Sequence, residues 1–432
     1  MKYLPIPASL YVNNRQRFAK RMKPNSIAIF PGNPVLPTNG DAVYTYRPNA
    51  DVIWLSGVVQ EKSMVVLYPD NPDTSAREVL VLLRPNEHLE KWEGHKLRKD
   101  EATAVSGIKN IQWADSFDVV LQVMMHNADN VYLDTNENDR LDTTLFRPDL
   151  LFVNDFMRRY PLHNYERAAR IMRDLRGVKT KEEVEVTKVA VDITDKAFRR
   201  LMQYIQPGVY EHEIEAEITH EFLRNRAERH AYDCIIASGD RARVLHYIEN
   251  NQECKDGELI LMDFGAYYGN YAADMTRTIP VNGKFTKRQR EVYTAVLDVH
   301  NFAKKLLKPG ISIVDYTVKV NEEMEKQLVK LGLISKADIK NQDPENPAYR
   351  KYFYHGVSHH LGIDVHDLGV RMEPLKEGML LTVEPGIYIE EEQMGIRIEN
   401  NIWLTKNGNT DLFAGIAITA DEIEAAMKRK KK

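Results

Sequence analysis

The chain has 432 residues, of which 43% are hydrophobic and 28% charged, and both values are typical of ordinary globular proteins. This length favours two domains over one hydrophobic core. Lys and Arg number 59 and Asp and Glu 63, so the net charge of -4 gives no indication of nucleic-acid binding. The one strongly basic stretch is residues 428–432, which we expect to be a solvated basic tail.

The sequence contains two cysteines, Cys234 and Cys254. Two cysteines are too few for a disulfide framework in a chain of this length, and we expect both to be reduced. No apolar run approaches the roughly 18 to 20 residues that a membrane-spanning helix needs. The first residues lack the apolar segment and the small-residue cleavage site of a secretory signal. We therefore predict a cytoplasmic protein without membrane contact.

Residues 1–165 are predicted to form an α/β domain with a mixed sheet. Turn clusters such as PGNP (31–34) and PDNPD (69–73) separate short β-type runs, and helix-compatible stretches such as Asn86–Ala104 lie between them. The predicted strands are Ser26–Phe30, Asp51–Ser56, Met64–Tyr68, Glu78–Leu83 and Val131–Leu133.

A second domain, residues 170–427, is predicted to begin after the sequence changes character between residues 162 and 179. Thr180 followed by Glu183 is a capping-box pattern, which predicts a helix start. Apolar residues then recur at helical spacing until Pro207-Gly208 ends the helix. A second helix is predicted to follow, with an apolar face formed by Ile214, Ile218 and Phe222.

The second domain contains a short internal repeat. LMQYIQPGVYEHEI (201–214) is similar to KKLLKPGISIVDY (304–316), because each has a helix end, a Pro-Gly break and a new helix start. Each is followed further along the chain by a segment that is typical of a β-hairpin, Leu259–Ile279 and Leu380–Leu404. We therefore expect two helix–helix–hairpin halves, related by a pseudo-twofold, whose hairpins lie side by side.

The first hairpin contains two aspartates, Asp263 and Asp274. With a turn at Tyr268-Gly269 they would lie directly opposite each other, with Cβ atoms about 4.5 to 5.5 Å apart. Two carboxylates at that distance repel each other unless a cation lies between them. Asp263 also interrupts the apolar run LILMDF, where an unpaired charge would be costly. The alternative is a pair of ordinary strand-end or turn aspartates, although Asp is depleted in strand interiors.

The second hairpin contains two glutamates. Glu384 ends an apolar strand just before Pro385-Gly386, and Glu399 lies in the returning strand two residues after Arg397. The period of two places Arg397 and Glu399 on one face of that strand. A lone Arg/Glu pair is usually a surface salt bridge, but the flanking isoleucines favour a buried polar pocket.

The segment FYHGVSHHLGIDVHD contains four of the 13 histidines of the chain: His355, His359, His360 and His366. A single histidine is most often structural, whereas a cluster beside glycines is typical of ligands and proton-transfer groups. A further histidine, His246, lies in VLHYIEN.

Four carboxylates with one or two imidazoles suit divalent ions such as Mn²⁺, Co²⁺ or Zn²⁺. Shared carboxylates in such a set can hold two ions about 3.5 to 4 Å apart, which activate a water molecule and stabilise a tetrahedral intermediate. The sequence has no HExxH motif, zinc CxxC pair, GxSxG elbow or P-loop.

The stretches MDFGAYYGNYAADMTRT, HGVSHHLGIDVHD, LTVEPGIYI and GIRIENNIWLT resemble the "pita-bread" metallopeptidases. This family includes methionine aminopeptidase, prolidase and Xaa-Pro aminopeptidase, also called aminopeptidase P. TYRPNADVIWLSG (45–57) and WEGHKLRKDEA (92–102) extend the resemblance to the aminopeptidase P subfamily and to nearly the whole chain. One departure is His360, at a position where related enzymes often have an aromatic residue. We take His359 as the matching residue because His366 follows it by seven residues, as in the family.

The resemblance implies a dinuclear aminopeptidase that cleaves peptides with proline in second place. The ions would be two Mn²⁺, with Asp274 and Glu399 bridging them, Asp263 completing one coordination sphere, and His359 and Glu384 completing the other. Glu384 is the candidate proton shuttle. The remaining implied catalytic residues are His246 and His366, which would bind the substrate or the oxyanion, and His355 and Arg397, which would line the proline side.

Three alternatives remain open from the sequence. Prolidase would cut only Xaa-Pro dipeptides, and a non-enzymatic binding protein could use the same fold. A creatinase would use this architecture without metal, but all five ligand positions are retained here. The family also implies a homodimer or homotetramer.

Overall fold

The computed structural model describes residues 2–428 with the exception of residues 139, 142, 143, 145, 146 and 371. Most of the predicted basic tail, residues 429–432, therefore lies outside the described residues. The chain forms two compact units, Pro5–Arg176 and the chain from Gly177 onward together with the residues up to Leu4. The domain boundaries predicted from the sequence, 1–165 and 170–427, remain a prediction.

The N-terminal unit contains a six-stranded mixed sheet in the order β4-β3-β2-β1-β5-β6. The pairs β1–β2 and β2–β3 are antiparallel, whereas β3–β4, β1–β5 and β5–β6 are parallel. The strands are β1 (Ser26–Pro31), β2 (Met64–Leu67), β3 (Glu78–Leu82), β4 (Asn110–Trp113), β5 (Asn130–Leu133) and β6 (Asn164–Arg167). The helices are α1 (Ala8–Ala19), α2 (Ala50–Ser56), α3 (Glu87–Glu93), α4 (Lys99–Ser106), α5 (Phe117–Asn127), α6 (Pro148–Arg159) and α7 (Ala168–Gly177), with a 3-10 helix at Thr74–Ala76.

Four of the five predicted strands are confirmed, but the strand predicted at Asp51–Ser56 is wrong. This segment forms helix α2, which is buried from Asp51 to Ser56. The Asn49 side chain accepts hydrogen bonds from the backbone N–H groups of Asp51 and Val52, and Gly57 ends the helix with a φ of 68°. A run of apolar residues without clear periodicity fits a buried strand and a buried helix equally well, so the flanking caps determine the outcome.

The C-terminal unit contains the remaining helices and four small sheets, with strand orders β11-β10-β7, β12-β9-β8, β13-β16-β17 and β14-β15. Its helices are α8 (Lys181–Tyr204), α9 (Glu211–Arg224), α10 (Lys287–Leu306), α11 (Ile313–Lys330), α12 (Lys336–Lys340) and α13 (Ala420–Met427), with 3-10 helices at Gly239–Arg243 and Ala348–Lys351. Its strands are β7 (Arg229–His230), β8 (Ile235–Ser238), β9 (Leu259–Phe264), β10 (Ala266–Tyr268), β11 (Tyr271–Ala272), β12 (Met275–Pro280), β13 (Leu380–Val383), β14 (Gly386–Ile389), β15 (Met394–Arg397), β16 (Asn400–Thr405) and β17 (Gly408–Asp411).

The predicted helix start at Thr180 is confirmed. The Thr180 side chain accepts from the backbone N–H of Glu183, and the Glu183 carboxylate accepts from the N–H of Thr180 at 2.8 Å, so the capping box is complete. Glu183 also accepts a hydrogen bond from the buried Tyr271 hydroxyl at 2.9 Å. The residue that caps the helix therefore also connects it to the first hairpin.

The two halves of the C-terminal unit repeat the same turn geometry. Gly208, between α8 and α9, has a φ of 93°, and Gly310, between α10 and α11, has a φ of 95°. The N–H of Gly208 donates to the Cys254 carbonyl and that of Gly310 to the Leu375 carbonyl, each at 2.9 Å. A positive φ at these breaks requires glycine, which explains why the Pro-Gly pair occurs in both halves. The predicted internal repeat and the α/β fold class are confirmed.

Among the described residues, no helix combines the length and the apolar character needed to cross a membrane. Helix α8, with 24 residues, is long enough, but it carries many charged residues beside its buried apolar face.

Candidate metal centre

The first hairpin consists of two strand pairs separated by a break, and this break positions its aspartates. Strand β9 pairs with β12, and β10 pairs with β11, in one continuous register around a turn at Gly269-Asn270. Asp263 therefore lies opposite Thr276, and the predicted direct pairing of Asp263 with Asp274 is wrong by two residues. Asp274 lies in the break just before β12, so the two carboxylates are diagonal neighbours. Because a shift of two residues keeps the same face of the sheet, both still point to one side.

The second hairpin has the same construction. Strand β13 pairs with β16, and β14 pairs with β15, again in one register that passes through a break. Glu384 follows β13 and Glu399 precedes β16, so each glutamate lies at the break. The Thr276 hydroxyl donates to Glu399 Oε2 at 2.8 Å and accepts from Arg397 Nε at 3.2 Å, so Arg397 and Glu399 share a face as predicted.

A histidine approaches these carboxylates from a third segment. His359 Nε2 lies 3.4 Å from Asp274 Oδ2 and 3.7 Å from Glu384 Oε1. Ligand atoms of Asp274, His359 and Glu399 all lie within 4.8 Å of one another. His360 faces elsewhere, because its ring occupies the space in which a side chain at Gly369 would stand. The geometry therefore favours His359 over its neighbour as the ligand.

Tyr232 is a site residue that the sequence analysis missed. Its hydroxyl donates to Asp263 Oδ1 and also lies within hydrogen-bond distance of Asp274 Oδ1. The residue comes just before β8, which pairs with β9 so that Ile235 lies opposite Asp263. No local motif marks this tyrosine, and only the pairing of β8 with β9 brings it to the aspartates.

Burial dominates the electrostatics of the carboxylates. It is the largest factor raising the pKa of Glu384 to about 7 and the pKa of Asp274 above its usual value, in each case with a contribution from neighbouring carboxylates. Burial and then the charge of Asp274 raise the pKa of Glu399 well above the ordinary range. For His359, burial lowers the pKa, but hydrogen bonding to Asp274 and the charge of Glu384 outweigh it. Such a cluster is stabilised by bound cations, which favour the charged carboxylates.

The side-chain chemistry fits divalent metal ions. Within the described part of the chain, Glu399 Oε1 is buried and no hydrogen-bond donor lies within reach of it. A buried carboxylate oxygen without a donor is costly unless a cation contacts it. Four carboxylates and one imidazole are the oxygen-rich donor set expected for Mn²⁺, Co²⁺ or Zn²⁺.

Arg397 and Tyr388 extend the site on one side. Arg397 Nη2 donates to Asp263 Oδ2 at 2.6 Å, and Arg397 Nη1 donates to the Tyr388 hydroxyl at 3.0 Å. The Tyr388 hydroxyl also lies 2.8 Å from His355 Nε2, and His355 Nδ1 lies 4.0 Å from Glu384 Oε2. Tyr388 was not predicted, although it lies two residues after Gly386 in a motif that the sequence analysis singled out.

His366 contacts a ligand, whereas His246 is related to the site only through its charge. The His366 ring lies 4.3 Å from that of His359, in an edge-to-face arrangement. His246 is exposed in the turn that follows the 3-10 helix Gly239–Arg243, and its charge contributes to lowering the pKa of His355, after burial and Arg397. The structure thus brings Asp263, Asp274, His359, Glu384, Glu399, His355, His366 and Arg397 together, with His246 in electrostatic range.

Comparisons with known proteins agree with this geometry. Residues 185–406 match the model of metallopeptidase family M24, and residues 11–132 match the aminopeptidase P N-terminal domain. The chain belongs to metallopeptidase family M24. The predicted family, the enzyme class and the use of divalent metal are therefore confirmed.

Individual relatives are similar over most of the chain. The Xaa-Pro aminopeptidase of Escherichia coli K12 is 35% identical, with 98% of each chain covered. Human Xaa-Pro aminopeptidase 3 is 30% identical over 91% of this chain and 79% of its own length. The solved structure of zinc-substituted E. coli aminopeptidase P in complex with product has a TM-score of 0.86 at 35% identity, and covers 98% of this chain and 99% of its own.

Proposed function

We propose that the protein is a dinuclear-metal aminopeptidase that hydrolyses the bond between any N-terminal residue and a penultimate proline. The observation that carries the proposal is the convergence of Asp274, His359 and Glu399, whose ligand atoms lie within 4.8 Å of one another at the breaks of two hairpins. Similarity to Xaa-Pro aminopeptidases over 98% of the chain, including the N-terminal unit, supports the proline specificity.

The proposed ligands, which would hold two ions, are Asp263, Asp274, His359, Glu384 and Glu399. Mn²⁺ is the proposed ion, with Co²⁺ and Zn²⁺ as alternatives that the same donor set accepts. When bound, the ions would supply Lewis acidity, which lowers the pKa of a water molecule and polarises a carbonyl. The buried Glu399 Oε1 supports its role as a ligand.

Glu384 is the proposed proton carrier. Its carboxylate lies within the ligand cluster, with Oε1 3.7 Å from His359 Nε2, where it can reach an attacking water molecule. The leaving nitrogen of proline carries no N–H of its own, because the bond before proline is a tertiary amide. Glu384 would accept the proton of the attacking water and deliver it to that nitrogen.

Four further residues complete the proposed site. His246 and His366 would hydrogen-bond the substrate or the developing oxyanion. His355 would line the pocket for the proline ring, supported by its hydrogen bond to Tyr388. Arg397 would hold Asp263 in place through its buried ion pair at 2.6 Å.

The proposal includes a homodimer or homotetramer in the cytoplasm. The free, buried thiols of Cys234 and Cys254 support a reducing compartment. Light scattering of the purified protein measures the oligomeric state, and fractionation of source cells measures the compartment.

The test is hydrolysis of a matched pair of peptides, Xaa-Pro and Xaa-Pro-Yaa, by the Mn²⁺-loaded protein and by Asp274→Ala. Wild type is expected to cleave the tripeptide, and the variant is expected to lose both cleavage and bound metal, measured by elemental analysis. Cleavage of the dipeptide alone would indicate a prolidase and leave the metal assignment intact. Cleavage of neither peptide with Mn²⁺, Co²⁺ or Zn²⁺ would refute the proposed activity.

A further inference from the structure

A buried carboxylate outside the metal centre organises the segment that carries His246. Glu211 is the first residue of α9 and is 0% exposed. Its Oε1 accepts from the N–H and hydroxyl of Ser238 at 2.8 and 2.7 Å. Its Oε2 accepts from the Tyr247 hydroxyl at 2.8 Å and from the Gln252 N–H at 2.9 Å. All four donors come from residues 238–252, the segment that includes His246.

The backbone of Glu211 holds the same segment. Its N–H donates to the Gln252 carbonyl at 2.9 Å, so Gln252 is bonded to both the main chain and the side chain of Glu211. Segment 238–252 is thus fixed at its start by Ser238, next to His246 by Tyr247, and at its end by Gln252. A fully bonded buried carboxylate is costly to replace, because each donor loses its partner.

A second acidic residue, one turn along α9, supports the same segment. Glu215 Oε2 accepts from Asn250 Nδ2 at 2.8 Å. Asn250 has a φ of 45°, and its side chain bonds back to β8 and the residue before it, accepting from the Ile236 N–H at 3.0 Å and donating to the Cys234 carbonyl at 2.9 Å. Glu211 and Glu215 are neighbours on the helix surface, so one side of α9 shapes the whole segment.

The segment is also packed against the metal centre. Tyr247, Leu261 and Tyr388 belong to one hydrophobic cluster, and Leu245 packs against it. Both neighbours of His246 therefore pack with the cluster that includes Tyr388, whose hydroxyl contacts His355 and Arg397. His246 itself remains exposed between them, where it can contact a substrate.

We infer that Glu211 is a positioning residue for substrate binding, because it fixes the segment that carries His246, whose charge acts on His355 of the site. The inference rests on the proposed function, in which His246 hydrogen-bonds the substrate. In Glu211→Gln, an amide N–H₂ replaces one acceptor oxygen and faces donors that it cannot satisfy. The segment and His246 are then displaced, and a displacement near 1 Å reduces kcat/KM by about 10- to 100-fold.

A double-mutant cycle between positions 211 and 246 tests the inference. The variants are Glu211→Gln, His246→Ala and their combination, assayed with an Xaa-Pro-Yaa peptide in the Mn²⁺-loaded full chain. Glu211→Gln is expected to reduce kcat/KM by about 10- to 100-fold with wild-type metal content, but by less than about twofold when His246 is already Ala. The matched control is Glu253→Gln, the same change of charge at an exposed position of the neighbouring chain.

If Glu211→Gln reduces kcat/KM by the same factor in wild type and in His246→Ala, the inference is overturned. A general structural defect would act equally in both backgrounds. An unaltered kcat/KM in His246→Ala would also overturn it, because nothing would then depend on the position of that ring. If Glu211→Gln does not fold, Tyr247→Phe replaces it in the cycle. We then expect a smaller loss of kcat/KM, which should again largely disappear when His246 is already Ala. If wild type is active and the kcat/KM losses of the two substitutions multiply in the double variant, only this inference is refuted. If wild type is inactive, the proposed function is refuted as well.

Discussion

Removing the Thr276 hydroxyl is expected to weaken metal binding without removing a ligand. Thr276 lies on β12, is 0% exposed, and donates to Glu399 Oε2 at 2.8 Å while accepting from Arg397 Nε at 3.2 Å. In Thr276→Val, Glu399 loses the donor that orients it, and Arg397 Nε loses its acceptor. Removing a hydrogen-bond partner that orients a metal ligand lowers metal affinity by about 10- to 100-fold, or about 1.4 to 2.7 kcal/mol.

The chain supplies a matched control two residues further along the same strand. Thr278 is also 0% exposed, and its hydroxyl donates to the Arg397 carbonyl at 3.1 Å and accepts from the Arg397 N–H at 3.2 Å. Thr278→Val therefore removes a buried hydroxyl with two contacts to the same arginine. Each variant should lose about 1 to 3 kcal/mol of metal-free stability, but only Thr276→Val should lose metal affinity.

Calorimetric titration of the metal-free proteins with Mn²⁺ measures the affinities, and denaturant unfolding measures the stabilities. If both variants lose metal affinity equally, the loss comes from the disturbance of Arg397 that they share and not from the hydrogen bond between Thr276 and Glu399. If neither loses affinity, the hydroxyl does not orient Glu399 for metal binding. Either result would refute the reasoning.

Three further results are expected. His359→Ala should reduce the metal content of the purified protein, which elemental analysis measures, while an unchanged content would exclude the imidazole as a ligand. Burial, the largest cause, raises the pKa of Glu384 from 4.5 to about 7 without metal, so its contribution to metal-free stability is present below about pH 4.5 and is lost as the pH rises through about 7. Denaturant unfolding at pH 5 and pH 8 should show a steeper loss for wild type than for Glu384→Gln, and equal slopes would contradict this. Lys179 Nζ lies 2.9 Å from Asp367 Oδ2, with the side chains 1% and 2% exposed, so Lys179→Met should cost about 3 to 5 kcal/mol of unfolding free energy. Adding Asp367→Asn should recover part of that loss, and a further loss of similar size would indicate that the aspartate charge is compensated elsewhere.

Several features could be predicted because their determinants lie close together in the sequence. The start of α8 depends on Thr180 and Glu183, which bond to each other across three residues. The break between α8 and α9 depends on Gly208, the residue type that tolerates the positive φ. The metal-ligand set was predicted by resemblance, since each ligand lies within a distinctive short motif.

Other features depend on register and on local caps. The first hairpin turns at Gly269-Asn270, so Asp263 lies opposite Thr276, whereas the sequence pattern allowed a turn one residue earlier, which shifts the pairing by two residues. Both registers keep the same residues on the buried face, so hydrophobic alternation cannot distinguish them. The strand predicted at residues 51–56 failed for a related reason, because a short apolar run has no period and the caps of α2 determine its structure.

The sequence by itself determined the α/β composition, the paired helix–helix–hairpin halves and the residue types of a divalent-metal site. Only the tertiary structure decided which side chains support those ligands. Tyr232 reaches the two aspartates through the pairing of β8 with β9, and Lys179 meets Asp367 across 188 residues of sequence. A hydrogen-bonded partner this distant leaves no periodic or local signal in the sequence. Its identity is determined by packing, since a buried charge or hydroxyl is stable only where the fold brings a partner to it.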